Sequence, residues 1–239
     1  MNNRAKTGLK ENVEYVLRDS EGKIKPIFQP NRLFQWLLKK GFVSPNTLIS
    51  GLFGHWADKR VTANLITTAG VAGIAARING TGTPAAFTYI GLGIGTTGAA
   101  DANTQLESEI TTSGGARAAA SCSVVTTDTA GDTAQLVNTF SFTTGGTFAV
   151  TESGVLNAGS TGTLLARQVF AAINVASGDS LNCRAAIKKF MVYVFSKLQG
   201  TLNFIKTICS ETAKAGRSTT IMGKSFIGLW NSLNNMATY

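Results

Sequence analysis

Residues 133–181 read as short alternating runs separated by turn residues, with hardly a charged side chain among them, and this pattern constrains the chain more than any other feature. Leu136, Phe140 and Phe142 fall on one face of an extended segment and Thr139 and Ser141 on the other, because successive side chains of a strand point to opposite faces. Leu165, Val169, Ile173 and Val175 repeat the two-residue period, which predicts a sheet with one buried face. TTGG at 143–146, NAGSTG at 157–162 and ASGD at 176–179 separate the runs; such residues accept positive φ or initiate turns. The stretch has no His, no Cys and very few acids, so its chemistry is that of a scaffold rather than an active site.

A chain of 239 residues is long enough to bury a core, and its charge divides it into three. Lys and Arg number eleven against five Asp and Glu in residues 1–60, four against seven in 61–187, and seven against one in 188–239, giving +6, −3 and +6. A mildly acidic body with two basic extensions suits contact with something negative: nucleic acid, an acidic neighbouring subunit or a membrane surface. The three cysteines, Cys122, Cys183 and Cys209, are odd in number and widely spaced, which reads as reduced thiols in a protein made in a cytoplasm. The opening residues are polar with no apolar run behind them, so no signal peptide is expected. The longest apolar segment, 190–208, contains Lys197, Gln199, Asn203 and Lys206, a composition that argues against a membrane span.

Taken in order, residues 1–10 predict a basic arm. Val13, Tyr15 and Leu17 alternate into the turn DSEG at 19–22, and residues 24–28 return as a hairpin whose second strand Pro26 and Pro30 confine to an edge or to an extended connection. Asn31 caps a short helix with an apolar face of Leu33, Phe34, Leu37 and Leu38, ended by Gly41. Phe42, Phe53 and Trp56 follow among few charges, either tucked under the body or facing a partner. Thr67 or Thr68 caps a second helix, AGVAGIAARI. Residues 87–94 are strand-like, and 99–112 form a polar excursion in which nothing is expected to desolvate Glu107 or Glu109. Residues 118–126 and 135–142 are strands joined by TDTAGD. Beyond 188, Phe190, Val194, Phe195, Leu198, Leu202 and Ile205 follow a helical period with Lys188, Lys189, Lys197 and Lys206 among them, which predicts a basic amphipathic segment.

Three matches to enzyme signatures are weak. GIGTTG at 93–98 has dinucleotide-loop spacing, but AADANTQLESE follows instead of an apolar helix. GDSL at 178–181 matches an esterase nucleophile block, yet the one histidine, His55, lies upstream, and a serine needs a base. STTIMGKS at 218–225 nearly fits a phosphate loop, with Ser218 in place of the first Gly. No metal set is expected around one histidine, no cofactor is implied, and no base, nucleophile and metal can be assembled into a catalytic group.

The ordered blocks ANLITTAGVAGIAARING, FTYIGLGIGTTGAA, TQLESEI, NTFSFT and VTESGVLNAGSTGTLLARQVFAAINVASGDSL, spanning residues 61–181, do resemble a family. They are similar to small β-rich virion structural proteins of tailed bacteriophages, found among capsid-decorating and tail or fibre-associated proteins. Such proteins tend to continue after GDSL with a Trp-bearing strand, where this chain reads NCRAAIKKF. The expectation is a mainly β chain: an antiparallel β-sandwich or jelly-roll-like body at 61–187, a basic extension at 1–60 with a hairpin and a short helix, and a basic amphipathic extension at 188–239. The resemblance implies a non-enzymatic virion component that decorates the capsid, with the major capsid protein as partner and a homo-oligomer, a trimer above others. A tail-attachment protein is the first alternative and a nucleic-acid binder using 188–224 the second. Trp36, Phe53, Trp56 and Trp230 are candidate anchors at the partner interface, since binding energy concentrates in buried aromatics, with Lys188, Lys189 and Lys197 as its charges.

Overall fold

The computed structural model describes residues 9–47, 51–82, 84–145 and 147–189. Its elements are β1 (Leu9–Arg18), β2 (Ile24–Lys25), β3 (Ile27–Pro30), α1 (Arg32–Lys39), β4 (Gly54–Ala57), β5 (Arg60–Ile66), α2 (Thr68–Asn79), β6 (Tyr89–Gly93), β7 (Ala118–Ala119), β8 (Ser121–Val125), β9 (Thr133–Ser141), β10 (Phe148–Leu156), β11 (Leu164–Val175) and β12 (Ser180–Lys189). Ten strands make one antiparallel sheet in the order β7-β6-β10-β11-β5-β1-β12-β9-β8, with β2 beside the end of β1; β3 and β4 form a ribbon of their own. The chain is mainly β, as its alternation predicts.

Two corners nearly close this sheet on itself. β5 pairs with β1 from Arg60 to Asn64, whereas its last two residues, Leu65 and Ile66, pair with β11. At the opposite corner β7 and β8 are separated only by Ala120. The first pairs with β6, the second with β9, and Ala120 N donates to Thr88 O at 2.8 Å between them. The layers β8-β9-β12-β1-β5 and β7-β6-β10-β11 therefore face one another across a shared core. Tyr15 of the first layer meets Phe170 of the second with ring centroids 4.9 Å apart, and its hydroxyl lies 2.5 Å from Ser153 Oγ.

The alternation holds where no bulge intervenes. Leu136, Phe140 and Phe142 are buried together. β11 departs from it, because Val150 pairs with Ile173 but Glu152 pairs with Val169. Three residues of β11, 170–172, thus stand against Thr151 alone. This bulge turns Phe170 into the main core and Ala171 into a second cluster, so Val169 is only half-buried.

The expected basic extension at 1–60 is corrected by the topology. β1 is a central strand, paired along its whole length with β12 and on its other side with β5. Lys188 and Lys189 likewise belong to the end of β12 rather than to a helical extension. The helical period that begins with Phe190 and Val194 lies outside the described residues.

Both predicted helix caps form. Asn31 Oδ1 accepts from Phe34 N at 2.9 Å. The expected apolar face of α1 is corrected: Phe34 is buried, while Leu33 is 49% exposed and Leu37 and Leu38 only half-buried. Thr67 Oγ1 accepts from Gly70 N at 2.9 Å and donates to Leu164 O at 2.6 Å, fixing α2 to β11. A side chain at Gly70 would strike the Leu165 backbone, so glycine sets how closely helix and strand approach. Thr67→Ala is expected to cost about 1–2 kcal/mol, the usual value of a lost cap, measured as a shift in urea midpoint at unchanged slope.

Candidate functional site

Residues 27–57 form a satellite on the outer face of β11. Phe28 of β3 and Phe34 of α1 cluster with Ala171, and Val43 and Phe53 complete the packing. Ala172 N donates to Pro45 O at 2.7 Å. Arg60 holds this satellite from within. Its Nη1 donates to Ala171 O, its Nη2 to Phe28 O, and its guanidinium carbon lies 5.8 Å from the Phe170 ring centroid. No carboxylate bonds to it among the described residues, and burial pulls its pKa down to about 10.

The outer surface of the satellite is apolar. Trp36 is 51% exposed, Phe42 70%, Leu52 74% and Trp56 52%. Trp36 and Phe42 lie with ring centroids 5.9 Å apart, and Trp56 stands edge-on to Phe28 at 5.9 Å. With Leu33, five of the ten exposed large hydrophobic side chains among the described residues come from residues 33–56, so the exposed apolar surface of the described residues is concentrated here. Residues 22–57 also carry Lys23, Lys25, Arg32, Lys39 and Lys40 with no acid among them.

The predicted interface residues separate on this basis. Trp36 and Trp56 are exposed on the satellite, while Phe53 packs inward against Phe34 at 5.9 Å. Lys188 is engaged at the surface with Asp128, Nζ to Oδ2 2.9 Å, which raises its pKa. Lys189 pairs with Leu9 at the end of the ladder. Lys197 and Trp230 lie outside the described residues.

A second polar centre was not anticipated from sequence. Glu152, fully buried in β10, accepts from Gly95 N at 3.1 Å, Ser108 N at 2.7 Å, Glu107 N at 3.1 Å and Arg167 Nε at 2.8 Å. Arg167 also donates to Thr97 O and Asn103 Oδ1, each at 3.1 Å, and to Glu107 Oε2 at 3.2 Å. The polar excursion is therefore tied down, and its Leu106 and Ile110 are buried. Glu107, expected to be unperturbed, has a lowered pKa because the Thr97 hydroxyl and amide donate to it, with Arg167 adding to the effect. Glu109 receives Arg117 Nε and Nη2 at 2.7 and 2.6 Å. The first two glycines of GIGTTG also find their reason here, since a methyl at Gly93 or Gly95 would collide with Glu152 Oε1. The close anion is the protein's own carboxylate. GDSL is a turn leading into β12, with Gly178 at φ +89°. Its Asp179 is held by Lys25 Nζ at 2.6 Å.

His55 is exposed on β4, and Cys122 and Cys183 are free thiols, the first exposed and the second buried. Among the described residues no three His, Cys, Asp or Glu side chains are grouped to hold a metal, and no helix is long and apolar enough to cross a membrane. Comparison of the chain with protein-family models, with curated proteins and with solved structures finds no match.

Proposed function

We propose that this protein is a non-enzymatic structural component of a tailed-phage virion that decorates or cements the capsid shell. The observation that carries this reading is the aromatic outer face of the satellite, Trp36, Phe42, Leu52 and Trp56, in a segment that carries Arg32 and Lys40 and no acid. Aromatic anchors in a basic, acid-free segment suit an acidic neighbouring subunit, with binding energy concentrated in the anchors. Glu152 and Arg167 are committed to each other and to fixing a loop, a structural use of buried charge. The sheet, nearly closed at both corners, exposes little strand edge, which suits a body copied many times at high local concentration. Assembly as a trimer with the major capsid protein as partner follows from the sequence resemblance.

The test uses purified shells and the full chain. Trp36→Ala and Trp56→Ala are each expected to weaken shell binding by about 2 kcal/mol, roughly thirtyfold, in co-sedimentation, with circular dichroism unchanged. Hundreds of copies per particle support decoration; a dozen or fewer would move the protein to the tail, the second reading. Binding unaffected by either substitution, or turnover of a small molecule by the isolated chain, would overturn the proposal.

A further inference from the structure

The interior face of the β1–β5 seam carries polar groups that the satellite and the loop anchor do not use. Glu11 and Asn64 are directly opposed across this seam, and Glu11 is fully buried. Asn64 Nδ2 donates to Glu11 Oε1 at 3.1 Å. The other oxygen of each group, Glu11 Oε2 and Asn64 Oδ1, is buried without a partner. As a carboxylate and a carbonyl, these two oxygens are acceptors only, and each would forfeit a hydrogen bond in an environment without water. A single proton on Glu11 Oε2 changes this. The acid then donates to Asn64 Oδ1 while Asn64 Nδ2 donates to Oε1, and one ring of two hydrogen bonds satisfies all four atoms.

We infer that Glu11 and Asn64 form a carboxylic acid–carboxamide pair that locks β1 to β5, and that release of the Glu11 proton is a switch that loosens this seam. Among the described residues, nothing facing Glu11 offers a compensating positive charge. On β1 the same face bears Tyr15 and on β12 it bears Cys183, both held neutral by burial, which raises each pKa. β12 sets Ile187 opposite Glu11. Arg60 sits four residues along β5, committed to Phe28 O and Ala171 O. Arg167 of β11 and Glu152 of β10 are committed to each other, β9 carries no charged residue, and Arg77 of α2 is turned outward to Pro84 O. Burial accordingly pushes the Glu11 pKa up to about 8, against the smaller lowering effect of the Asn64 hydrogen bond.

The sign of the linkage follows. Below the ordinary carboxyl value of 4.5 both folded and unfolded chains hold this proton; between 4.5 and about 8 only the folded chain does. Stability from Glu11 is thus full in acid and is lost as pH rises, by about tenfold in the folding equilibrium constant per pH unit, levelling off above pH 8. Glu14, Glu107 and Asp132 have lowered pKa values, so their linkage runs toward lower pH, and among the described groups with displaced values Glu11 alone spans pH 6–8.

The test is the full chain with carboxyl-carbon-labelled glutamate, followed by NMR through pH 4–10, beside urea unfolding of the wild type, Glu11→Gln and Glu11→Leu. A Glu11 signal titrating near pH 8, wild-type stability falling through pH 6–8, and a flat profile for Glu11→Gln, whose amide can reproduce both hydrogen bonds, are the expected results. Glu11→Leu strands the Asn64 amide and is expected to be less stable than Glu11→Gln at pH 5. A Glu11 signal titrating near pH 4.5 would overturn the switch even if neither variant folds. Equal stability of the two variants at pH 5 would overturn the pair.

Discussion

Arg167→Met is expected to lower the stability of the body by about 3–5 kcal/mol, the usual consequence of stranding one partner of a buried ion pair. The loss arises at several points at once. Glu152 would keep its amide donors but lose Arg167 Nε, while Thr97 O, Asn103 Oδ1 and Glu107 Oε2 would each lose a guanidinium donor. Glu152→Gln replaces a charged acceptor of three backbone amides with a group that is half donor, and its cost should be similar. The two substitutions act on one network, so the double variant should cost clearly less than the sum. Urea unfolding measures the totals. Hydrogen exchange assigns them, because amides in residues 94–109 should lose protection before those of β1 and β12. A double variant whose cost equals the sum would show that the pair does not act as a unit.

Arg60→Met should have the second largest effect, on the order of 3 kcal/mol, since two buried carbonyls lose charged donors and nothing replaces them. Its effect is expected to be local as well as global. The guanidinium spans the place where β5 parts from β11 after only two register pairs, and it ties Phe28 of the satellite to Ala171 of the sheet. Without it, protease cleavage in residues 27–57 should appear at denaturant concentrations that leave β1 and β12 intact. Arg60→Lys should rescue little, because a single ammonium lacks the planar fork that reaches two carbonyls at once. Unfolding in which the satellite and the sheet remain fully coincident would count against Arg60 as their clamp.

The sequence made some of this legible and hid the rest for physical reasons. Alternation and turn chemistry are local, so β9 and the caps Asn31 and Thr67 could be read directly. The position of β1 could not, because a two-residue period states which side chains face inward but not which strands lie alongside. Val13, Tyr15 and Leu17 look the same in a peripheral hairpin and in the middle of a sheet. The bulge at 170–172 was hidden for a related reason: in LLARQVFAAINV small and large apolar residues follow one another, and period alone cannot say where it slips. The site was half legible. Trp36, Phe53 and Trp56 have the same chemistry in the sequence, yet Trp36 and Trp56 are exposed on α1 and β4 whereas Phe53 lies inward. Glu152 and Arg167 were hidden by their scarcity. A lone acid in TESGVL and a lone base in LLARQVF look incidental until the fold brings them together, although isolated charges inside strongly apolar strands were the available signal.

Leu9 and Lys189 face one another at the last rung of the ladder between β1 and β12. Tension applied to the chain at these two points would open the ten pairs of that ladder in succession, one rung before the next, rather than shearing them together. Along that line the body is mechanically soft. Compressed across its layers, it sets Tyr15 against Phe170 and a filled interior against the load. Load across the layers and load at these two points therefore fall on different sets of contacts.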